Sequence, residues 1–236
     1  MDALQKRVIA CKTCPRLVEW RTTIAEKRTR RFAEWKYWGK PVPSFGDTNA
    51  RLLLVGLAPA AHGGNRTGRM FTGDESGNWL FRALFNAGFS TQPTSTDRSD
   101  GLKLYDCYIT ATCRCAPPKN KLLRDEIRNC RPFLLKELSL LKNIRVVIGV
   151  GKIGFDAAFD SFRKLCRTQL KSRPKFGHGV IYKLNENVTL IGTYHPSQQN
   201  TFTGKLTENM LNEIFTKARK MLDRHADAKT KKGSLE

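Results

Sequence analysis

The sequence predicts an α/β protein, a three-layer α/β/α sandwich around a central, mostly parallel four-stranded sheet. Three observations predict it. Leu52, Leu53, Leu54 and Val55 form a short apolar run that ends at Gly56, the pattern of a strand buried on both faces. Further strand patterns at 105–112, 144–148 and 188–193 alternate with amphipathic helical patterns. Three of these four strands run into loops rich in glycine, proline and polar residues, where open parallel sheets hold their ligands.

The 236 residues suffice for one domain, expected over 1–222, followed by a basic tail, 223–236, expected to be frayed. Lys and Arg number 42 against 21 Asp and Glu, a formal net charge of +21 that makes a polyanion the expected partner. No apolar run approaches the roughly 20 residues of a membrane span, and the N-terminus lacks a signal-peptide core. The chain is therefore expected to be soluble and intracellular.

Residues 3 to 11 suit a short helix that delivers Cys11-Lys-Thr-Cys14, and Leu17 to about Lys27 continues helically into the basic run Lys27, Arg28, Arg30, Arg31. The stretch from Trp35 to Gly46 mixes aromatics, cations and prolines, which excludes a regular helix. It suits either a nucleic-acid backbone or packing of Trp35 and Trp38 against the sheet. Beyond the first strand, glycines at 56, 63, 64, 68 and 73 and the small residues Ala58, Ala60 and Ala61 let the backbone approach a ligand closely. That loop delivers Phe71 and Asp74 beside a helix whose N-cap reads as Ser76 and whose stop reads as Gly88.

Residues 90 to 101 read as a loop, and the second strand leads into Cys113-Arg-Cys115-Ala-Pro-Pro-Lys-Asn120. Leu122 to Leu141 reads as an amphipathic helix interrupted near Cys130 to Pro132. The glycines 149, 151 and 154 form a GxGxxG after the third strand, read as a tight turn because no acidic residue stands at the ribose position. Val180 to Leu184 reads as an edge strand. The last central strand ends in Tyr194-His195-Pro196-Ser197-Gln198-Gln199-Asn200, where a histidine suits a cleft better than a core. Leu206 to Leu222 closes the fold as a helix with an apolar stripe.

Seven cysteines, odd in number and unevenly spaced, argue against a disulfide framework. Cys11, Cys14, Cys115 and Cys130 suit a four-thiolate metal site, and their spacing leaves both an iron–sulfur cluster and a tetrahedral zinc open. Cys107 and Cys166 read as core residues, whereas Cys113 lies only two residues from Cys115.

Four motifs, Gly56-Leu-Ala-Pro-Ala60, Arg69-Met-Phe-Thr-Gly-Asp74, the four-cysteine pattern and His195-Pro-Ser197, resemble the fifth family of the uracil-DNA glycosylase superfamily, the UDGb type. The resemblance runs from Cys11 to about Ala218. It implies a structural [4Fe–4S] cluster on Cys11, Cys14, Cys115 and Cys130, and leaves Cys113 out. The related fourth family carries an acidic residue where Leu57 stands and an Asn where Ala111 stands. Their absence implies a less discriminating pocket, open to uracil and to other deaminated bases such as hypoxanthine.

The chemistry of such an enzyme defines the roles it needs. A base must leave the duplex, stack on something flat, and depart as an anion from a sugar that becomes cationic. Phe71 is the candidate platform, with core packing as its alternative, and Gly56, Leu57, Ala58, Ala60 and Ala111 would line the rest of the pocket. His195 is assigned to the departing base, Asp74 to the water and the sugar charge, and Asn120 to a further base or water contact. Ser44, Arg69, Ser197 and Lys205 are assigned to phosphates, and Gln198, Gln199 and Asn200 to the gap left by the flipped nucleotide. The chain is expected to work as a monomer on cytoplasmic, nucleoid DNA. Two rivals are a non-catalytic, cluster-containing nucleic-acid binder and a glycosylase devoted mainly to deaminated purines.

Overall fold

A computed structural model describes residues 1–166 and 168–233, with side chains described for 1–165 and 168–224. Four parallel strands form its centre: β2 (Leu52–Gly56), β3 (Cys107–Ala111), β4 (Val146–Val150) and β6 (Thr189–Thr193). The sheet has six strands rather than four, in the order β1-β3-β2-β4-β6-β5. Its two antiparallel edges are β1 (Phe45–Gly46) and β5 (Ile181–Lys183). Two-residue β1 lies in the proline-rich stretch, too short for any alternation to register.

Helices cover both faces, which is why the central strands read as unbroken apolar runs. Leu52, Leu54, Ile109 and Ile148 point into one core with α4 (Glu75–Asn86) and α8 (Glu208–Gly233). Leu53, Val55, Tyr108 and Val147 point into the other, with α5 (Arg124–Leu140) and α6 (Gly151–Cys166). Ahead of the sheet, α1 (Asp2–Ile9) and α2 (Pro15–Lys27) flank the CxxC; the short α3 (Gly64–Thr67) and α7 (Gln198–Phe202) lie in the loops after β2 and β6.

Three local expectations are corrected. α5 runs through Pro132 without interruption. The N-cap of α4 is Asp74 rather than Ser76, its carboxylate accepting from the Gly77 N–H at 2.9 Å. The GxGxxG serves packing as well as a turn: a Cβ on Gly154 would sit 2.2 Å from the Val55 carbonyl oxygen, and Gly151 alone carries the left-handed backbone. The helical backbone of α8 is continuous to Gly233, and the end of the expected tail, from Ser234, lies outside the described residues. So does the Cys166 side chain.

Candidate active site

Gly56, Ala111 and Thr193 end three adjacent or near-adjacent parallel strands, so the loops that follow share the carboxyl edge of the sheet. Gly56 is paired with Ala111, and the Thr112 N–H and hydroxyl both donate to the Gly56 carbonyl, at 2.9 and 3.0 Å. The Cys113 N–H donates to the Leu57 carbonyl at 3.0 Å, tying the first loop to the second.

Phe71 lies against His195, with ring centroids 5.8 Å apart and planes inclined by 32°. A Cβ on Gly56 would approach the Phe71 ring to 2.9 Å, and one on Gly77 would come within 2.0 Å of its carbonyl oxygen. Two glycines thus make room for one aromatic. Phe71 has φ +51, a left-handed backbone that a bulky residue holds at a cost of about 1–3 kcal/mol. Such strain persists only where the surroundings fix it, and here the ring is held at the edge of the sheet.

His195 is held from behind, its carbonyl accepting from Asn200 Nδ2 at 2.8 Å, with the Gly151 backbone beneath its Cβ. Its Nδ1 is shielded from solvent and has no hydrogen-bond partner among the described residues. Burial pushes the imidazole down to about 4, so it is neutral at pH 7 and able to donate without carrying charge. Asp74 comes from the Phe71 loop. One oxygen caps α4, and the other lies where a Cβ on Gly63 would intrude to 1.8 Å. Burial pushes this carboxyl above its ordinary range, against the opposing pull of the Gly77 N–H and Arg66.

Arg66 has no role in the sequence-based assignment and proves central to the loop. Its guanidinium carbon lies 4.0 Å from the ring centroids of both Phe32 and Trp35. Nε donates to the His62 carbonyl at 2.7 Å and Nη2 to the Gly73 carbonyl at 2.6 Å. One buried cation therefore ties together the residues just before Gly63 and just before Asp74. The only sequence signal is the pair of aromatics, Phe32 and Trp35, in a cation-rich stretch; in the fold they hold a cation from the loop itself.

Several assigned residues sit elsewhere or face inward. Arg69 is 4% exposed and fully engaged, pairing with Asp100 at 2.6 Å and donating to Ser95 and Thr72, which removes it from any phosphate. The Ser44 hydroxyl donates to Glu137 at 2.6 Å and accepts from Arg114, within a buried ion-pair network. Asn200 is folded back onto the His195 carbonyl and so is no wedge. Ser197 caps α7, Gln198 and Gln199 are exposed, and the Lys205 ammonium lies 5.0 Å over the Tyr194 ring. Leu57, Ala58 and Ala60 are half-buried along the first loop. Asn120 is exposed and left-handed like Lys119, and among the described residues no hydrogen bond or ring contact joins it to Phe71, Asp74 or His195. Phe202, at the end of α7, is 79% exposed. A lone aromatic in the polar run Gln-Gln-Asn-Thr-Phe is the signal that could have found it.

A second constellation lies behind the second loop. Cys11, Cys14, Cys115 and Cys130 line one cavity, with Leu17, Val18 and Phe133 as apolar walls. Cys113 lines it too, its thiol donating to the Glu126 carbonyl at 3.5 Å. Among the described residues no three His, Cys, Asp or Glu side chains close on a point that would hold a single metal ion.

A mostly parallel sheet with a strained aromatic, a neutral histidine and a buried carboxylate at its carboxyl edge defines an α/β protein with its candidate site at that edge. The Uracil DNA glycosylase superfamily pattern matches residues 43–219. Type-5 uracil-DNA glycosylases from Mycobacterium tuberculosis and Thermus thermophilus are 47% identical over 219 residues and 44% identical over 220. These alignments cover 92% and 93% of this chain and 80% and 97% of the relatives. A type-4 enzyme from Pyrobaculum aerophilum is 29% identical over 163 residues, 69% of this chain and 74% of its own length. The chain belongs to the uracil-DNA glycosylase superfamily and, within it, to the type-5 family.

Proposed function

We propose that the protein is a DNA glycosylase that flips uracil out of DNA and hydrolyses its N-glycosidic bond, leaving an abasic site. The observation that carries this reading is the Phe71–His195 pair, a flat surface beside an imidazole whose Nδ1 lacks a partner. Departing uracil accumulates negative charge on its carbonyl oxygens, and a neutral imidazole can donate to it in a cleft where water competes little. Asp74, close to the α4 N-terminus, orients the attacking water and balances the cationic sugar. Arg66 ties the backbone on either side of that carboxylate, at His62 and Gly73.

The pocket discriminates weakly. Leu57 and Ala111 present no polar side-chain atom to a base edge, and without such a donor or acceptor a site has little means of rejecting other bases. Hypoxanthine and related deaminated bases are therefore further substrates. Phe202 supplies the apolar wedge that fills the vacated stack, with Gln198 and Gln199 beside it, and Lys205 and Ser197 meet phosphates. The protein acts as a monomer on nucleoid DNA in the cytoplasm.

Cys11, Cys14, Cys115 and Cys130 are proposed to hold a structural [4Fe–4S] cluster. Four of the five thiols that line one apolar-walled cavity, drawn from the CxxC, the second loop and α5, suit such an inorganic core. When bound, the cluster would cross-link the CxxC between α1 and α2 to the second loop and to α5. Iron and sulfide assays on anaerobically purified protein should give about four of each per chain, and stoichiometric zinc would defeat this assignment.

Base release from duplexes carrying uracil, hypoxanthine or xanthine tests the function. The proposal expects uracil release that Asp74→Asn and His195→Gln each slow by at least about a hundredfold, with little loss of DNA affinity. A wild-type protein that binds DNA and releases no base would instead be a pure binder, and release confined to purines would reassign the substrate.

A further inference from the structure

Between α5 and α6 lies a cavity of about 440 Å³ that none of the roles above uses. Its rims meet the candidate active site. One rim is Thr112, bonded to the Gly56 carbonyl; the other is Ile153, two residues past Gly151, on which His195 rests. The floor is apolar, from Ile127 and Ala157, and the walls carry Arg124, Arg128, Arg131 and Arg173.

The cavity's carboxylates are already neutralised. Asp156 pairs with Lys152 at 2.6 Å and with Arg173 at 3.5 Å, and Asp160 pairs with Arg173. Among the described residues Arg128 pairs only with Asp125, at 3.1 Å, with both side chains more than 70% exposed, a pair that holds little energy in water. Arg124 and Arg131 are exposed and have no carboxylate partner among the described residues. Residues 124, 128 and 131 share one helix face by their spacing of four and three, so their charges form a row of about 10 Å along α5.

We propose that this row is a backbone-phosphate track for DNA beyond the lesion, receiving the strand as it leaves the active-site edge. The inference rests on the glycosylase reading above and adds where the flanking strand runs. A row of planar, permanently charged guanidinium groups beside an apolar floor suits successive phosphates and their sugars. An acidic protein segment is the competing occupant.

The test compares Arg124→Glu/Arg131→Glu with Lys142→Glu/Lys183→Glu in the full chain. All four positions are exposed, and both double variants change the net charge equally, the second pair lying at the amino edge of the sheet. Binding to a 30-mer U·G duplex is measured across salt, alongside binding to polyglutamate and uracil release under saturating single-turnover conditions. The track predicts roughly tenfold or greater loss of duplex affinity for the arginine variant, with the log–log salt slope lowered by about two, one for each lost phosphate contact. The lysine variant should change little, and saturated release should stay at the wild-type rate in both. Equal losses in the two variants, or a loss for polyglutamate without one for DNA, overturn the track. Failure of the wild type to release uracil would strike the glycosylase reading instead, and leaves the binding comparison intact.

Discussion

Two polar regions flank the same sheet and are built on different rules. Around Glu137, buried on α5, two carboxylate oxygens accept from four donors: Ser44, Gln5, Thr110 and Arg114. Around Phe71, the polar groups are left wanting: His195 Nδ1 has no partner, Asp74 is pushed up by burial, and the backbone of Phe71 is strained. A carboxylate satisfied by four donors holds the fold, although Arg114 Nε in that network has no partner among the described residues; an unpartnered imidazole beside a strained aromatic waits for a ligand to complete it. Location near the cleft therefore does not assign a role, and Ser44 shows why.

Predictions that break or sharpen this contrast start with rate. Asp74→Asn keeps the α4 cap, because an amide oxygen can still accept from Gly77, but removes the charge. Uracil release should fall about 10²- to 10⁴-fold in single-turnover assays, while thermal unfolding shows a stability equal to or above wild type. At Glu137 the order reverses. Glu137→Ala strands a buried guanidinium and should destabilise by about 3–5 kcal/mol in denaturant titrations, with release per folded molecule largely retained.

Arg66→Met should cost roughly one to two orders of magnitude in release rate with little change in KM, since no substrate contact is lost. Removing the nearby cation pushes the Asp74 carboxyl further up, so the acidic limb of the pH–rate profile moves to higher pH. An unmoved limb would make Arg66 merely a packing residue.

A further effect is in stability against pH. His195 titrates near 4 in the fold and near 6.5 when unfolded, so below about 6.5 the unfolded chain takes up the proton first. Stability should fall between about pH 6.5 and 4, and His195→Gln should lose that component of the slope in melts across the same range.

Much of this arrangement is legible in the sequence because burial on both faces leaves a blunt signature. The apolar runs at 52–55 and 146–148 locate central strands, and glycine clustering locates the loop that carries Phe71 and Asp74. Partners distant in sequence stay hidden. Nothing local to Arg69 announces Asp100, and nothing local to Ser44 announces Glu137, so both read as free surface groups. Ser76 is the better cap by pattern, but Asp74 reaches Gly77 first because Gly73, at φ +76, turns the chain beforehand. Pro132 reads as a break, yet α5 passes through it while packing against α6.

The most direct test of the central claim is single-turnover uracil release from a U·G duplex by wild type, Asp74→Asn, His195→Gln and the double variant, with affinities measured in parallel. Two residues serving one flipped base should each lose at least about a hundredfold, with the double variant little worse than the weaker single and affinities nearly unchanged. Single variants that release uracil at the wild-type rate would contradict the account.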